Sequence, residues 1–365
     1  MPLSKIQTTS NQVIPNLGRR NLIINGAMEV AQRGTSATTT GIQTVDRFSI
    51  NQTNFDQLVS TKTQDTNVPV GFSKSFKLAT TTAETALATD EYGNMSYIIE
   101  GQDLQRLAYG TSSAKSFTLS FYVKSNLTGN FSVTAYKATG STKQQDRRYT
   151  INTADTWERK TLTFVGDTAQ SIVNSNAAGM YLYWHTAFGA TFGTDTYNAS
   201  AGWSGYTNAG WGAGQDNNTL YNSTSNYIQF TGIQMEVGSI ATEFEHRTFA
   251  DELLLCKRYF EVYSPTEADE GSVGAVRTRT SFNHYQALVN FHEKRAKPTC
   301  TIDYDRMHKP GVVKDTLSAL TITISNGETQ SCQINATPAN DSTVSTYGFL
   351  GKNSGTGSLK LDAEL

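Results

Sequence analysis

The sequence predicts an all-β protein: a β-sandwich or jelly roll, then a smaller β domain, with one short helix linking them. Three observations carry this reading. Apolar and polar residues alternate in run after run, as in Phe117-Thr118-Leu119-Ser120-Phe121-Tyr122-Val123, which puts Phe117, Leu119, Phe121 and Val123 on one face of a strand. Charged residues make up only 17% of the chain, against roughly 25% in ordinary soluble domains. Thr, Ser, Asn and Gly take their place, which suits strands joined by polar turns and disfavours long exposed helices. The runs are punctuated by Gly/Asn/Ser turns, and no period of roughly 20–50 residues repeats, which favours a sandwich over a β-helix or propeller.

At 365 residues the chain exceeds what one hydrophobic core usually serves, so two domains are expected. Residues 1–20 hold Pro2, Pro15, scattered Ile and Val, and Arg19-Arg20, too little to build a core. They are expected to form a docking arm that packs on a neighbouring subunit or a larger assembly; folding back on its own domain is the alternative. The first domain spans residues 21–247. It opens with a short β-branched strand, Leu22-Ile23-Ile24, and then Asn25-Gly26, a dipeptide that tolerates positive φ and turns the chain sharply. Gly34 is expected to close the next strand in the same way. After residues 117–123, the turn Asn126-Leu127-Thr128-Gly129-Asn130 leads to Phe131, Val133 and Ala135, so the two runs are expected to pair as a hairpin. Further strands are expected over residues 159–164, 180–184 and 227–235.

A helical segment breaks the pattern in the linker, residues 248–262. Thr248 is placed to cap the first turn while Asp251 reaches back, and Asp251 and Glu252 at the start and Lys257 and Arg258 at the end complement the helix dipole. Phe249, Leu253, Cys256 and Phe260 fall on one stripe. Residues 263–365 return to strands, expected over 272–282, 285–292, 299–304, 320–325 and 331–336, with Leu359-Lys360-Leu361-Asp362-Ala363-Glu364-Leu365 alternating to the last residue.

The chemistry is sparse. A net charge of -2 gives no reason to expect a polyanionic partner, since nucleic acid and anionic membrane both call for a basic bias. No apolar run approaches the ~20 residues of a membrane span. Met1-Pro2-Leu3-Ser4-Lys5 lacks the apolar core of a secretory signal, so synthesis in a cytosol is expected. Cys256, Cys300 and Cys332, odd in number and widely spaced, fit reduced thiols better than a disulfide framework or a zinc site. His185, His246, His284, His292 and His308 show no metal-ligand spacing, and Glu267-Ala268-Asp269-Glu270 lacks the glycine-punctuated loop of a calcium hand. No metal, cofactor or catalytic residue is therefore expected. Glycan cleavage needs two carboxylates about 5 to 9 Å apart, and no β-helix repeat supports it, so the chain is expected not to be an enzyme.

Candidate glycan-binding residues lie in the loop 198–219, rich in Gly, Asn and Ser: Trp203, Tyr206 and Trp211, followed by Asp216 and Asn217. Aromatic rings on such a loop can stack on the apolar faces of sugars while short amides and carboxylates bond the hydroxyls. The same rings can instead lid the sandwich or contact a neighbouring subunit.

The opening Asn21-Leu22-Ile23-Ile24-Asn25-Gly26-Ala27-Met28-Glu29-Val30-Ala31-Gln32-Arg33-Gly34-Thr35, followed by Val45-Asp46-Arg47-Phe48, resembles the opening of a family of bacteriophage tail-fibre and virion appendage proteins. The resemblance continues in Phe117-Thr118-Leu119-Ser120-Phe121-Tyr122-Val123-Lys124-Ser125, in Tyr149-Thr150-Ile151-Asn152 and Asp155-Thr156-Trp157-Glu158, and in Thr231-Gly232-Ile233-Gln234-Met235-Glu236-Val237-Gly238-Ser239. It extends through Phe244-Glu245-His246-Arg247, Leu255-Cys256-Lys257-Arg258-Tyr259-Phe260 and the closing Asp362-Ala363-Glu364-Leu365, covering most of residues 21–262. It implies a jelly-roll domain, similar to carbohydrate-binding modules, in a virion appendage that is commonly homotrimeric and meets the host surface. Taken with the coreless segment 1–20, the expected arrangement is an arm that anchors the subunit to other virion proteins and surface loops that contact host glycans. The virion is then the expected location, with no nucleic-acid partner and no membrane insertion. A rival of another class is a purely structural virion protein, such as a capsid decoration, head fibre or tail connector, without a receptor. For Trp157 the resemblance implies a core or sheet-edge role, and for Asp46-Arg47 a structural one. Residues 263 to 358 match less well, and there the individual protein is expected to differ.

Overall fold

The computed structural model describes residues 19–263, 275–278, 285–304, 306–309, 312–323, 329–338, 347–351 and 358–365. The docking arm expected over residues 1–20 (apart from Arg19 and Arg20) and the acidic cluster Glu267-Ala268-Asp269-Glu270 lie outside the described residues.

Twelve strands make up the first unit: β1 (Ser36–Ala37), β2 (Phe48–Thr53), β3 (Val59–Asp65), β4 (Ser75–Thr82), β5 (Tyr92–Glu100), β6 (Phe117–Ser125), β7 (Gly129–Lys137), β8 (Lys143–Ile151), β9 (Glu158–Phe164), β10 (Ala178–Phe188), β11 (Ser204–Gly205) and β12 (Tyr227–Val237). One antiparallel sheet runs β1-β3-β4-β12-β6-β9 and the other β11-β8-β7-β10-β5-β2. Only β3 to β4, β7 to β8 and β10 to β11 stay within one sheet; every other connection crosses to the opposite sheet, which is the crossing pattern of a jelly roll. The all-β class and the short linker helix are those expected. No helix among the described residues is long and apolar enough to cross a membrane.

The core fills the space between the two sheets. Phe117, Leu119, Phe121 and Val123 are fully buried, and they face Phe131, Val133 and Ala135 with Leu182 and Trp184. Phe121 sits edge-on to Trp184 at 6.0 Å and to Tyr149 at 5.1 Å. Each such side chain contributes about 1.5–3 kcal/mol by leaving water. The expected hairpin between residues 117–123 and 131–135 does not form. β6 pairs with β12 and β9, whereas β7 pairs with β8 and β10, so the two runs oppose each other across the core. Two strands that each bury one apolar face satisfy it equally well face to face as side by side.

The opening segment differs from expectation as well. Residues 21–23 form no ladder strand, and Ile24 already begins the turn. Asn21 supplies the bonds instead, its Nδ2 donating to the Ile233 carbonyl (3.2 Å) and its Oδ1 accepting from Met235 N (3.0 Å). Asn25, at φ 61°, takes the left-handed backbone. Gly26 is required for a different reason, because a Cβ there would stand 2.1 Å from the Ile233 carbonyl oxygen.

The helix α1 (Phe249–Lys257) is capped by Thr248, whose Oγ1 accepts from Asp251 N (3.2 Å) and donates to Asp251 Oδ2 (2.7 Å). Of the expected apolar stripe Cys256 and Phe260 are buried and Leu253 is half-buried, but Phe249 is 57% exposed and the acid Glu252 is buried beside them. Glu252 accepts from Asn25 N and from Arg247 Nη1 (3.3 Å), so the helix docks through its acid onto the turn's unpaired donors.

Beyond α1 come β13 (Phe260–Tyr263), β14 (Ala275–Thr278), β15 (Tyr285–Asn290), β16 (Thr299–Asp303), β17 (Arg306–Lys309), β18 (Val312–Thr323), β19 (Ser331–Pro338), β20 (Tyr347–Gly351) and β21 (Ser358–Asp362). β13, β21 and β16 form a three-stranded sheet, and the other six close a small barrel in the order β14-β15-β19-β18-β17-β20. Of the sequence stretch 320–325, residues 320–323 prove to be the end of the much longer β18, while residues 324–325 and parts of 272–282 lie outside the described residues.

Candidate functional site

Strand alternation puts one set of side chains in the core and the other on the outer face of the β11-β8-β7-β10-β5-β2 sheet. On β5, Met95, Tyr97 and Ile99 point inward, which sends Asn94, Ser96 and Ile98 outward. On β10, Met180, Leu182 and Trp184 fill the core, so Tyr181 and Tyr183 face out. Register aligns these into rows: Ser49 opposite Ser96 opposite Tyr183 opposite Thr134, and Asn51 opposite Asn94 opposite His185. Above them lies a cleft of about 520 Å³, with Tyr92 and Trp211 at one end and Ile98 and Tyr181 toward the other. Gly41, Ile42 and Gln43 form its lip; Gly41 is bridged to Ile50 along the β2 edge.

The floor is half aromatic and half polar. Tyr181 and Tyr183 stack at 5.7 Å with planes 6° apart, and Trp211 meets Tyr183 edge-on at 5.4 Å and Tyr92 at 5.0 Å. Beside them Asn51 Nδ2 donates to Asn94 Oδ1 (2.9 Å) and Ser96 Oγ (3.0 Å). Asn94 Nδ2 and Trp211 Nε1 are buried and have no hydrogen-bond partner in the protein.

Trp211 is held by the sheet beneath it. Gly212 N donates to Asp146 Oδ1 (2.9 Å), and Ser132 Oγ donates to the Gly212 carbonyl (3.0 Å). Thr134 donates its one hydroxyl proton to Asp146, which leaves the His185 Nε2–H to donate to Thr134 Oγ1 at 2.7 Å. Burial holds His185 down to about 3, so the imidazole under Trp211 is neutral. Burial also pushes Asp146 up to about 6, against the bonds from Thr134, Gly212 and Gln144.

The other end of the cleft is charged and self-paired. Arg47, 2% exposed and at φ 75°, bonds Glu364 through Nη1 and the Ile98 carbonyl through Nη2 (2.7 Å), with its guanidinium 3.4 Å from the Tyr259 ring centre. Arg33 reaches Asp362 (3.1 Å), Glu364 (3.5 Å) and Asp46 (3.8 Å). Asp46 and Arg47 thus serve structural pairs with other residues and not with each other.

The loop residues singled out in the sequence separate. Trp211 lines the cleft, and Tyr206 stands next to it, 6.0 Å from Trp211 and 5.6 Å from Tyr136. Trp203 faces away: its Nε1 donates to the Val165 carbonyl (2.7 Å) and its ring packs on Tyr109 at 5.8 Å, lidding the core. Asp216 accepts from Asn130 N (2.9 Å) and Nδ2 (2.6 Å), and Asn217 Nδ2 donates to the Thr128 carbonyl (2.7 Å), so both pin the loop to the start of β7. Trp157, expected in the core or at a sheet edge, is half-buried and donates to Asn67 Oδ1 (3.1 Å). Reading loops for aromatics passes over Tyr92, Tyr181, Tyr183 and the amides beside them. The available signal was the outward phase of the run Met180-Tyr181-Leu182-Tyr183-Trp184. No group of three or more His, Cys, Asp or Glu among the described residues is placed to hold a metal ion.

No family model matches this sequence, and no curated protein matches it. Solved structures similar to it include the enzymatically active domain of tailspike protein 4 of bacteriophage CBA120, at 13% identity over 60% of this chain and 21% of that one, with a TM-score of 0.32. A family 4 carbohydrate-binding module aligns at 11% identity over 58% of this chain and 97% of that one, with a TM-score of 0.30. The family 11 carbohydrate-binding module of Clostridium thermocellum, in complex with a β-1,3-1,4-mixed-linked tetrasaccharide, aligns at 10% identity over 57% of this chain and 98% of that one, with a TM-score of 0.27. The chain spans about a fifth of the tailspike's length. Superpositions at these scores carry no argument about ligand, and the jelly-roll assignment rests on the sheet order itself.

Proposed function

We propose that this chain is a glycan-binding subunit of a bacteriophage virion appendage, and that sugar sits in the cleft over β2, β5 and β10. One observation supports this above others: Tyr181, Tyr183, Tyr92 and Trp211 stand beside Ser49, Asn51, Asn94 and Ser96 on one rigid sheet face. A pyranose ring presents apolar C–H faces and a rim of hydroxyls, and this floor offers a surface for each. The virion role is supported by the sequence resemblance of residues 21–262. Anchoring through residues 1–20 and a homo-oligomer, with a trimer favoured, belong to the same proposal. Repetition of a weak site raises avidity by factors of about 10² to 10⁴. The chain binds and does not cleave: both carboxylate side chains on the cleft, Asp362 and Glu364, bond Arg33 or Arg47, so neither stands free as a proton donor.

The test is a glycan array probed with purified protein and with Tyr183→Ala. Wild type is expected to bind a subset of glycans, and the variant to lose roughly tenfold in affinity with its β circular dichroism unchanged. A folded wild type silent across the array, or a variant that binds equally, overturns the reading; silence would return the chain to the structural class of capsid decoration, head fibre or tail connector.

A further inference from the structure

We infer that the cleft selects uncharged glycans, and that the tail residues Asp362 and Glu364 enforce the selection by consuming two arginines at its end. This deepens the glycan reading above and rests on it. The polar side chains along the floor, Ser49, Asn51, Asn94 and Ser96, are all neutral. The cations that line the cleft are Arg33 and Arg47. Arg47 spends Nη1 on Glu364 and Nη2 on the Ile98 carbonyl. Arg33 divides its two terminal nitrogens among Asp362, Glu364 and Asp46. The second oxygen of Asp362 accepts from Glu364 N (3.0 Å), which fixes the tail in the position where it meets both arginines.

Two guanidinium groups therefore face three carboxylates. A uronate, sulfate or phosphate group brought to this end would have to displace a protein carboxylate to gain a partner, and would meet surplus negative charge while losing its water. The arginines are otherwise well suited to an acidic sugar, because each carries a planar fork that matches a carboxylate bidentately. Selection thus lies in the tail and not in the floor. Removing a tail carboxylate should therefore create a preference, and not merely abolish one.

The experiment compares retention of wild type, Asp362→Asn and Glu364→Gln in affinity electrophoresis through neutral polymers (a mannan, a dextran and a xylan) and anionic ones (polygalacturonate, alginate and dextran sulfate). Asp362 is the solvent-facing member of the cluster, with a side chain 46% exposed, so Asp362→Asn keeps the fold and carries the test if Glu364→Gln does not fold. Wild type is expected to be retarded by at least one neutral polymer and by no anionic one. In the variants the ratio of anionic to neutral affinity should rise about tenfold, and the gain should fade as salt is added. Wild type bound by an anionic polymer as strongly as by a neutral one overturns the inference and leaves glycan binding standing. So does a ratio unmoved in every folded variant. A folded wild type that no polymer retards sinks the glycan reading and this inference together.

Discussion

Replacing Glu364 with Gln should destabilise the sandwich by about 3 kcal/mol, far more than a change at an ordinary surface ion pair. The figure follows from where its partner lies. Arg47 is 2% exposed, and after the change its contacts are the Ile98 carbonyl at 2.7 Å and the Tyr259 ring at 3.4 Å. Leaving a buried charge without its counter-ion costs about 3–5 kcal/mol, whereas an exposed pair is worth about 0–1 kcal/mol. The side chain of Glu364 is itself 11% exposed at the rim of the cleft, so water can reach the orphaned guanidinium and holds the loss near the lower figure. The assay is urea unfolding followed by tryptophan emission, for which Trp184, wholly enclosed in the core, is the natural reporter. With a slope of roughly 3 kcal/mol per molar urea the midpoint should fall by about 1 M. The double replacement Arg47→Met with Glu364→Leu should recover most of the loss, since an apolar pair has no charge to desolvate. A midpoint change worth less than about 1 kcal/mol for Glu364→Gln would refute the reasoning, because the pair would then behave as an exposed one.

Two further outcomes are expected. Gly26→Ala should cost at least about 3 kcal/mol or prevent soluble folding, since its Cβ would meet a backbone oxygen at 2.1 Å that the β12 bulge cannot withdraw; thermal unfolding within a few degrees of wild type would contradict this. The pH profile should be a balance of opposed groups. His185, held down to about 3 by burial, contributes stability that is present above its unfolded value near 6.5 and is lost as pH falls. Asp46 and Asp146, both pushed up to about 6 by burial, contribute stability that is present at low pH and is lost as pH rises through 6. On going from about pH 7 to about pH 5, His185→Gln should therefore gain about 2 kcal/mol more than wild type does. Parallel profiles in urea titrations at the two pH values would show that His185 titrates as it does in the unfolded chain.

The buried faces were legible in the sequence because alternation is local. Phe117, Leu119, Phe121 and Val123 could be assigned inward from seven consecutive residues, and Thr248 could be named as a cap from the four that follow it. Neighbours were not legible, since alternation says which face of β6 is buried and not which strand lies beside it. The cleft joins Asn51, Asn94 and Tyr183, three residues whose adjacency depends on the register of three strands far apart in the chain. Trp203 and Trp211 sit in one loop of uniform composition, yet Val165 holds the first over the core and Asp146 secures the loop that carries the second over the sheet. Asp46-Arg47 and the closing Asp362-Ala363-Glu364 were both conspicuous as sequences. That Arg47 and Glu364 form one ion pair across 317 residues is a fact of the fold alone.

The way the barrel is hung has a consequence for how such a chain can change over time. β13 leaves the sandwich side and β21 returns beside it, with Phe260 opposite Asp362 and Tyr263 opposite Leu359. The outgoing and incoming stalks are thus zipped together, and β16 joins them on the far edge. Because β16 lies in the chain between the barrel strands β15 and β17, the barrel hangs from all three strands of this sheet, and a replacement of different shape leaves the mount in place only if it still connects to β13, β16 and β21. Provided the returning stalk still delivers its two carboxylates to Arg33 and Arg47, the exchange leaves the cleft on the sandwich as it was.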